Sequence, residues 1–291
     1  MKTENNLIVV QPKSLDELDN FLKNANTSYQ FIGGGTDLLV QEKKWETYNS
    51  IVDLKSVKEI SSDIFIEDEY LYIGAANCYT DIIKNKIVVK YFPILISSLK
   101  QIGSVQIQNR GTLGGNICNA SPAGDSLPVL SVLDADLLIG PKNNDKFKVI
   151  PFNNFYTGFK TFSLLKNEYI AFIRIKIPTE ADTAWYFRKV GQRFSMAISK
   201  VSLAMLLKIE NNTIKDIKLS TGSVKPYIKR ETEVENYLLN KELVNKVFNE
   251  ASEIIKKNIS PISDIRSIKN FREYLTSQLL KEALFLAKDV L

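Results

Sequence analysis

From Gly103 to Asp125 this chain is so dense in Gly, Asn, Ser and Pro that neither helical nor strand periodicity runs through it, although Gln106 to Gln108 has extended character. A polar loop of that length inside a compact domain is usually functional. Earlier in the chain a first glycine-rich turn, Gly33-Gly34-Gly35-Thr36-Asp37, follows directly on the strand-like Tyr29 to Ile32. Missing side chains there let the backbone turn sharply and approach a ligand.

Backbone amides aligned in a glycine-rich turn supply the N–H donors that a diphosphate needs, with no side chains in the way. Thr36 and Thr112 add hydroxyl donors and Asn116 an amide, whereas Asp125 would repel phosphate and suits ribose hydroxyls as an acceptor. That division of labour fits a dinucleotide. Taken alone, the Gly33 triplet is also explained as a tight connection after a strand. The second turn is more specific, because Gly111, Gly114 and Gly115 share a loop with Asn109, Asn116, Asn119, Ser121 and Asp125.

Histidine is absent from all 291 residues. A Ser-His-Asp triad, a Cys-His pair, a zincin helix and a c-type haem attachment are thereby excluded. So is a flavin tethered through histidine, which leaves non-covalent binding for any flavin. Neither G-x-x-x-x-G-K-[ST] nor G-x-G-x-x-G occurs. The two cysteines, Cys78 and Cys118, fit a reducing compartment and cannot supply the thiolates of an iron–sulfur cluster, which must then sit on another chain. The net charge of +5 comes from lysines spread along the chain, so no nucleic-acid partner is expected. The apolar run Leu7 to Val10 is too short for a signal-peptide core, and Tyr91 to Ile96 falls far short of a membrane span. A soluble, cytoplasmic protein is expected.

With 44% apolar and 24% charged residues, the composition supports a real core, and the length favours two modest domains. The start reads as strand (Leu7 to Gln11), a helix opened by the capping box Ser14-x-x-Glu17, and strand (Tyr29 to Ile32), followed by Ile51 to Leu54. Ile64 to Ile66 and Tyr70 to Ile73, joined by Glu67-Asp68-Glu69, read as a hairpin opening a second subdomain. Helices are expected at Tyr79 to Lys84, Pro93 to Ile102 and Ser126 to Leu133, and strands at Ala135 to Ile139, Phe147 to Ile150 and Tyr169 to Ile177. The domain boundary is placed just after Pro178. Beyond it, Ala184 to Val190, Lys200 to Ile209 and Ile214 to Thr221 suggest an antiparallel meander with Asn211-Asn212 as a tight turn. Three helices close the chain, the last with an apolar stripe of Phe271, Leu275, Leu279, Ala283, Leu286 and Val290. Trp45, Trp185 and the tyrosines read as packing groups, and Cys118 as a small loop filler rather than a reactive thiol.

These residues carry a resemblance. Gly33 to Leu38 is similar to the A-G-G-T-D-L type turn of the flavin subunit of molybdenum hydroxylases, the xanthine and carbon monoxide dehydrogenase family, with glycine for the usual alanine. Asn109 to Asn116 matches that family's N-x-G-T-I-G-G-N, and Ala120-Ser121-Pro122, Asp125, Pro128 and Leu130 match A-S-P-x-x-D-x-x-P-x-L. The resemblance covers essentially the whole chain. It implies an α+β fold: a two-subdomain FAD-binding domain of the vanillyl-alcohol-oxidase/PCMH type over 1–178, with subdomains of about 1–57 and 58–178, then a smaller α+β domain over 179–291 with a three-stranded antiparallel sheet and helices. It implies that Ile32, Gly33, Gly34, Gly35, Thr36, Asp37 and Leu38, with Thr112, Leu113, Gly114, Gly115 and Asn116, grip the FAD pyrophosphate. Asp125 is implied to contact the polar tail of the flavin, Ile102 and Ile170 to pack against the cofactor, and Lys189 to reach the flavin from the second domain. As ordinary residues, the isoleucines are packing groups and Lys189 a solvated lysine. One departure is Gln108, where many relatives carry arginine. The tail Ser263-Asp264-Ile265-Arg266 resembles the family's C-terminal signature and reads as structural.

By the same resemblance, the partners are a molybdopterin-binding large subunit and a small subunit with two [2Fe-2S] clusters, and this chain passes their electrons to NAD+ or another acceptor. A flavin bridges one-electron and hydride chemistry, while the protein supplies position and electrostatics. Two other classes fit less well. A free-standing FAD-dependent reductase using NAD(P)H, similar in fold to the enolpyruvyl-UDP-sugar reductases, would need an acid to protonate a carbanion, and none is evident. A scaffold without cofactor would not need the intact glycines.

Overall fold

The computed structural model describes residues 7–41, 47–178, 183–193 and 195–289, so Trp45 and Val290 lie outside the described residues. Strand β1 (Ile8–Val10) leads into α1 (Leu15–Asn24). The Ser14 hydroxyl accepts from the Glu17 N–H at 3.2 Å, and the Glu17 carboxylate reaches back to the Lys13 N–H at 2.8 Å. The capping box therefore closes one residue further upstream than its usual form. Strands β2 (Tyr29–Ile32) and β3 (Ser50–Asp53) complete a parallel sheet of order β1-β3-β2, so the strands of the βαβ start are separated by β3.

A short α2 (Lys58–Ser62) precedes the hairpin β4 (Ile64–Glu67) and β5 (Tyr70–Gly74), with Asp68 in the left-handed region at φ 52°. Three helices follow: α3 (Tyr79–Lys84), α4 (Lys86–Tyr91) and α5 (Pro93–Leu99). The sequence reading missed α4, which Asn85 caps by accepting from the N–H groups of Ile87 and Val88.

The stretch expected as loop holds two short helices, α6 (Val105–Gln108) and α7 (Leu113–Asn119). Ser104 and Thr112 cap them, and these caps outweigh the low helix propensity of the glycines. Gln106 to Gln108 is thus helical, not extended. Gln108, where relatives carry arginine, donates to the carbonyls of Lys100 and Ile102 and so ties the entry of this stretch to the end of α5.

Helix α8 (Ser126–Val132) is followed by β6 (Asp136–Asn143), β7 (Lys146–Pro151), the short pair β8 (Tyr156–Gly158) and β9 (Thr161–Phe162), and β10 (Tyr169–Lys176). The main sheet is antiparallel, of order β4-β5-β10-β6-β7. Its central strand is buried on both faces, which explains the unbroken apolar run of β10. Tyr169, Ala171 and Phe172 pack towards α1 and the parallel sheet, and Ile170, Ile173 and Ile175 towards helices α3 to α8.

Strands β11 (Thr183–Val190), β12 (Val201–Glu210) and β13 (Thr213–Gly222) form the expected antiparallel meander. Its turn at Asn211 and Asn212 has φ 48° and 58°, the double left-handed geometry of a type I′ hairpin. One face of β12 (Leu203, Met205, Leu207) packs on α9 (Thr232–Leu238), α10 (Asn245–Asn258) and α11 (Lys269–Asp289), while Ala204 joins the core around α8. The buried face of α11 is Leu279, Leu280, Ala283, Leu284 and Ala287, continued upstream by Thr276 and Arg272. This corrects the apolar stripe in part: Leu275, Leu279 and Ala283 do face the core, whereas Phe271 and Leu286 are 41% and 44% exposed and Leu280, Leu284 and Ala287 are buried in their place.

Candidate functional site

Strand β2 delivers loop 33–38 against the residues leading into α7. The two backbones touch: a Cβ on Gly34 would lie 2.0 Å from the Arg110 carbonyl oxygen and 2.7 Å from the Gly111 Cα, and one on Gly33 would lie 2.6 Å from Thr112 Oγ1. Gly35 adopts φ +74°, where a side chain is strained. The backbone N–H groups of Gly34, Gly35, Thr36, Asp37 and Leu38 meet no acceptor among the described residues; the first amide of the loop to do so is Leu39, which donates to Gly35. The loop thus presents a row of free donors.

The second turn is built differently. Thr112 Oγ1 accepts from the Gly115 N–H at 3.1 Å, and the Thr112 carbonyl accepts from Asn116 at 3.0 Å. Gly114 donates to the Ala75 carbonyl at 2.8 Å and Leu113 to the Asn77 carbonyl at 3.4 Å. All four amides are therefore used inside the protein. A Cβ on Gly114 would lie 2.7 Å from the Ala75 Cβ, so this glycine permits packing on the end of β5 and does not face a ligand. The expectation that both turns offer backbone donors is corrected: the first presents amides, and the second is a braced platform presenting side chains. Ser126 donates to Asn116 Oδ1 at 2.7 Å, leaving the Asn116 NH2 without an acceptor among the described residues.

A cleft of ≈ 190 Å³ separates the two segments. It brings together Ile32, Gly33, Gly34, Gly35, Thr36, Asp37 and Leu38 on one side with Thr112, Gly115 and Asn116 on the other. Leu113, Gly114 and Ile170 do not line it: all three are buried, Leu113 and Ile170 in the core on which Ile102 packs half-buried. Tyr79 and Cys118 also line the cleft, and sequence reasoning did not single out Tyr79, which reads there only as the start of a helix. Burial, reinforced by the charges of Asp37 and Asp125, holds the Tyr79 phenol protonated far above its ordinary range. Burial also pushes the Cys118 thiol up to about 12, which suits an inert filler.

Asp125 and Lys189 meet away from the cleft lining. Lys189 Nζ donates to Asp125 Oδ2 at 2.5 Å and to the Gln101 carbonyl at 2.9 Å, and the two side chains are only 6% and 7% exposed. Lys189 is therefore not the solvated lysine of the simpler reading; it fastens β11 to the loop before α8. Burial pushes the Asp125 carboxyl up to about 6, against the pull of the lysine charge and its hydrogen bond. Its Oδ1 is buried and has no hydrogen-bond partner among the described residues. An acceptor left open in this way suits a hydroxyl donor.

A larger cleft of ≈ 1130 Å³ opens between the β11–β13 sheet and the β10 end of the main sheet, lined among others by Trp185, Tyr91 and Lys215. None of the residues assigned to the cofactor lies on it. Among the described residues, no His, Cys, Asp and Glu group is placed to hold a metal ion, and no helix is long and apolar enough to cross a membrane.

Comparison with known proteins fits this arrangement. Residues 3–180 match the family described as the FAD binding domain in molybdopterin dehydrogenase, and residues 185–286 match the CO dehydrogenase flavoprotein C-terminal domain. The chain belongs to the FAD-binding medium subunits of molybdenum hydroxylases of the xanthine and carbon monoxide dehydrogenase type, and is an oxidoreductase subunit. It is 30% identical over 261 residues to the xanthine dehydrogenase FAD-binding subunit of Escherichia coli O157:H7, covering 89% of this chain and 88% of that one. It is 26% identical to the carbon monoxide dehydrogenase medium chain of Hydrogenophaga pseudoflava, covering 94% of each. The solved carbon monoxide dehydrogenase of Hydrogenophaga pseudoflava superposes with a TM-score of 0.88 at 23% identity, covering 97% of both chains.

Proposed function

We propose that loop 33–38 holds the pyrophosphate of a non-covalent FAD, with Thr112, Gly115 and Asn116 facing it, and that the chain passes electrons from the [2Fe-2S] clusters of a small partner subunit to NAD+. The observation that carries this reading is the row of amides at residues 34–38 without a protein acceptor, beside the uncommitted Asn116 NH2. Pockets that enclose a drug-sized ligand hold roughly 300–1,000 Å³. The smaller cleft between the loops therefore seats the diphosphate, and both ends of the dinucleotide extend beyond it. Asp125 Oδ1 would accept from a hydroxyl of the flavin's polar tail, with Lys189 fixing that carboxylate in place. Ile102 and Ile170 form the apolar backing, while Leu113 and Gly114 set the height of α7.

Bound FAD supplies the exchange between one-electron and hydride chemistry. This chain's residues bind and orient it. The substrate is hydroxylated on a molybdopterin-binding large subunit, so a pocket for it is not needed here. The division into 1–178, with subdomains of about 1–57 and 58–178, and 179–291 belongs to the same reading; the separate cores of the meander with its helices and of α1 with the parallel sheet support it. A cytoplasmic location rests on the two free thiols.

The test is chemical. Denaturing the purified chain should release FAD in near-stoichiometric amount; FMN or a colourless supernatant would refute cofactor binding. For the acceptor, NADH added anaerobically to the assembled enzyme should bleach the flavin absorbance. Bleaching by a reduced ferredoxin but not by NADH would remove NAD+ from the proposal.

A further inference from the structure

We propose that Cys78 and Lys55 form a covalent, oxygen-bridged cross-link (S–O–N) under peroxide. Lys55 lies in the 3-10 turn Leu54–Ser56 that leaves the parallel sheet, and its backbone N–H is held by the Asp53 side chain at 2.9 Å. Its Nζ stands 2.5 Å from Cys78 Sγ. The amine and the thiol are thus in direct contact, close enough for a single oxygen to join them. A half-buried ammonium normally faces a carboxylate, because its desolvation must be offset. Among the described residues no carboxylate pairs with Lys55, and its side chain is aimed at the thiol instead.

The partner sulfur is equally fixed. Cys78 is 4% exposed, sits at the cap of α3 and forms a bridge with Thr112, and its Sγ lies 3.7 Å from the Arg110 carbonyl oxygen. The link would therefore join the turn after β3 to the two segments that carry the cleft, directly behind Tyr79 and Thr112. Cys118, the other thiol, has no such amine beside it among the described residues.

The chemistry balances with hydrogen peroxide as oxidant. The thiol loses its hydrogen, the neutral amine loses one of its two, and an S–O and an O–N bond form. Four electrons leave the pair, two to each of two peroxides, and three waters are released. Sulfenic acid on Cys78 is the first rung of this oxidation. Lys55, of intermediate burial, is the more open member of the pair.

The intact chain is treated with a small excess of hydrogen peroxide, unfolded without reductant, alkylated and digested for mass spectrometry. The expected product joins the Lys55 and Cys78 peptides at their summed mass plus one oxygen and minus two hydrogens. It disappears after dithiothreitol, leaves Cys118 alkylated, and is absent from C78S and from K55R, which keeps the charge. Full alkylation of both cysteines after peroxide would overturn the proposal. So would a Cys78–Cys118 disulfide, a direct S–N linkage, or sulfinic acid on Cys78 with the Lys55 peptide unmodified.

Discussion

Replacing Gly34 with alanine sets the packing of the two loops against the need for flexibility. The added Cβ would sit 2.0 Å from the Arg110 carbonyl oxygen, 2.6 Å from its carbon and 2.7 Å from the Gly111 Cα. All three are backbone atoms, so no rotamer change relieves the collision, and loop 33–38 must move by about 1 Å relative to residues 110–112 to restore ordinary contact. Overpacking of this kind costs typically 1–3 kcal/mol, and a backbone collision belongs at the upper end. For a chain of this size, about 3 kcal/mol corresponds to a fall in melting temperature of roughly 6–12 °C. Because the movement widens the cleft between the free amides and Asn116, FAD retention should fall with it. G35A is the control: its Cβ meets only the Leu39 and Ile32 side chains, at 3.0 Å and beyond, so its cost is the left-handed strain at φ +74°, roughly 1–2 kcal/mol. Thermal melts and flavin content of both variants decide the matter. G34A with unchanged melting temperature and flavin content, or G35A more damaged than G34A, would refute the reasoning.

G114A should lower stability through its contact with Ala75, and the loss should appear in the flavin-free protein as well, measured by denaturant unfolding. Asp125 titrates at about 6 in the folded chain against an ordinary 3.8, so the native state holds its proton longer than the unfolded state. Stability from this group is full at low pH and is lost as pH rises through about 6, by roughly 3 kcal/mol in total; D125N should flatten that segment of the stability–pH profile of the flavin-free chain. Arg272, 3% exposed, donates to the carbonyls of Lys200 and Ser223 and to Asp264 at 2.7 Å. R272M takes this donor from the Lys200 and Ser223 carbonyls and breaks the ion pair with Asp264, whose Oδ1 keeps the Arg266 and Ser267 N–H groups, and it should cost about 3 kcal/mol, read from denaturant midpoints. Cys118, its thiol pushed up to about 12, should resist iodoacetamide at neutral pH in the folded protein and react promptly once unfolded.

Local signals determined much of this protein. The capping box at Ser14, the hairpin at Asp68, the Asn211-Asn212 turn and strands with period-two or unbroken apolar runs are written over a few neighbouring residues, and the structure forms them where they were read. The glycine clusters and the motif from Asn109 to Leu130 likewise pointed to the FAD-binding family to which the chain belongs. The tertiary structure decided which cluster keeps its amides free. Leu113 and Gly114 donate to Asn77 and Ala75, residues more than 30 positions away in sequence, and no pattern around Gly114 could reveal that those donors were already taken. The same holds for Lys189 reaching Asp125 across 64 positions and for Lys55 beside Cys78. The apolar face of α11 was legible only in part for this reason too: several faces of a helix with many aliphatic residues satisfy the same period, and the sheet it packs on keeps Leu275, Leu279 and Ala283 but not Phe271 or Leu286.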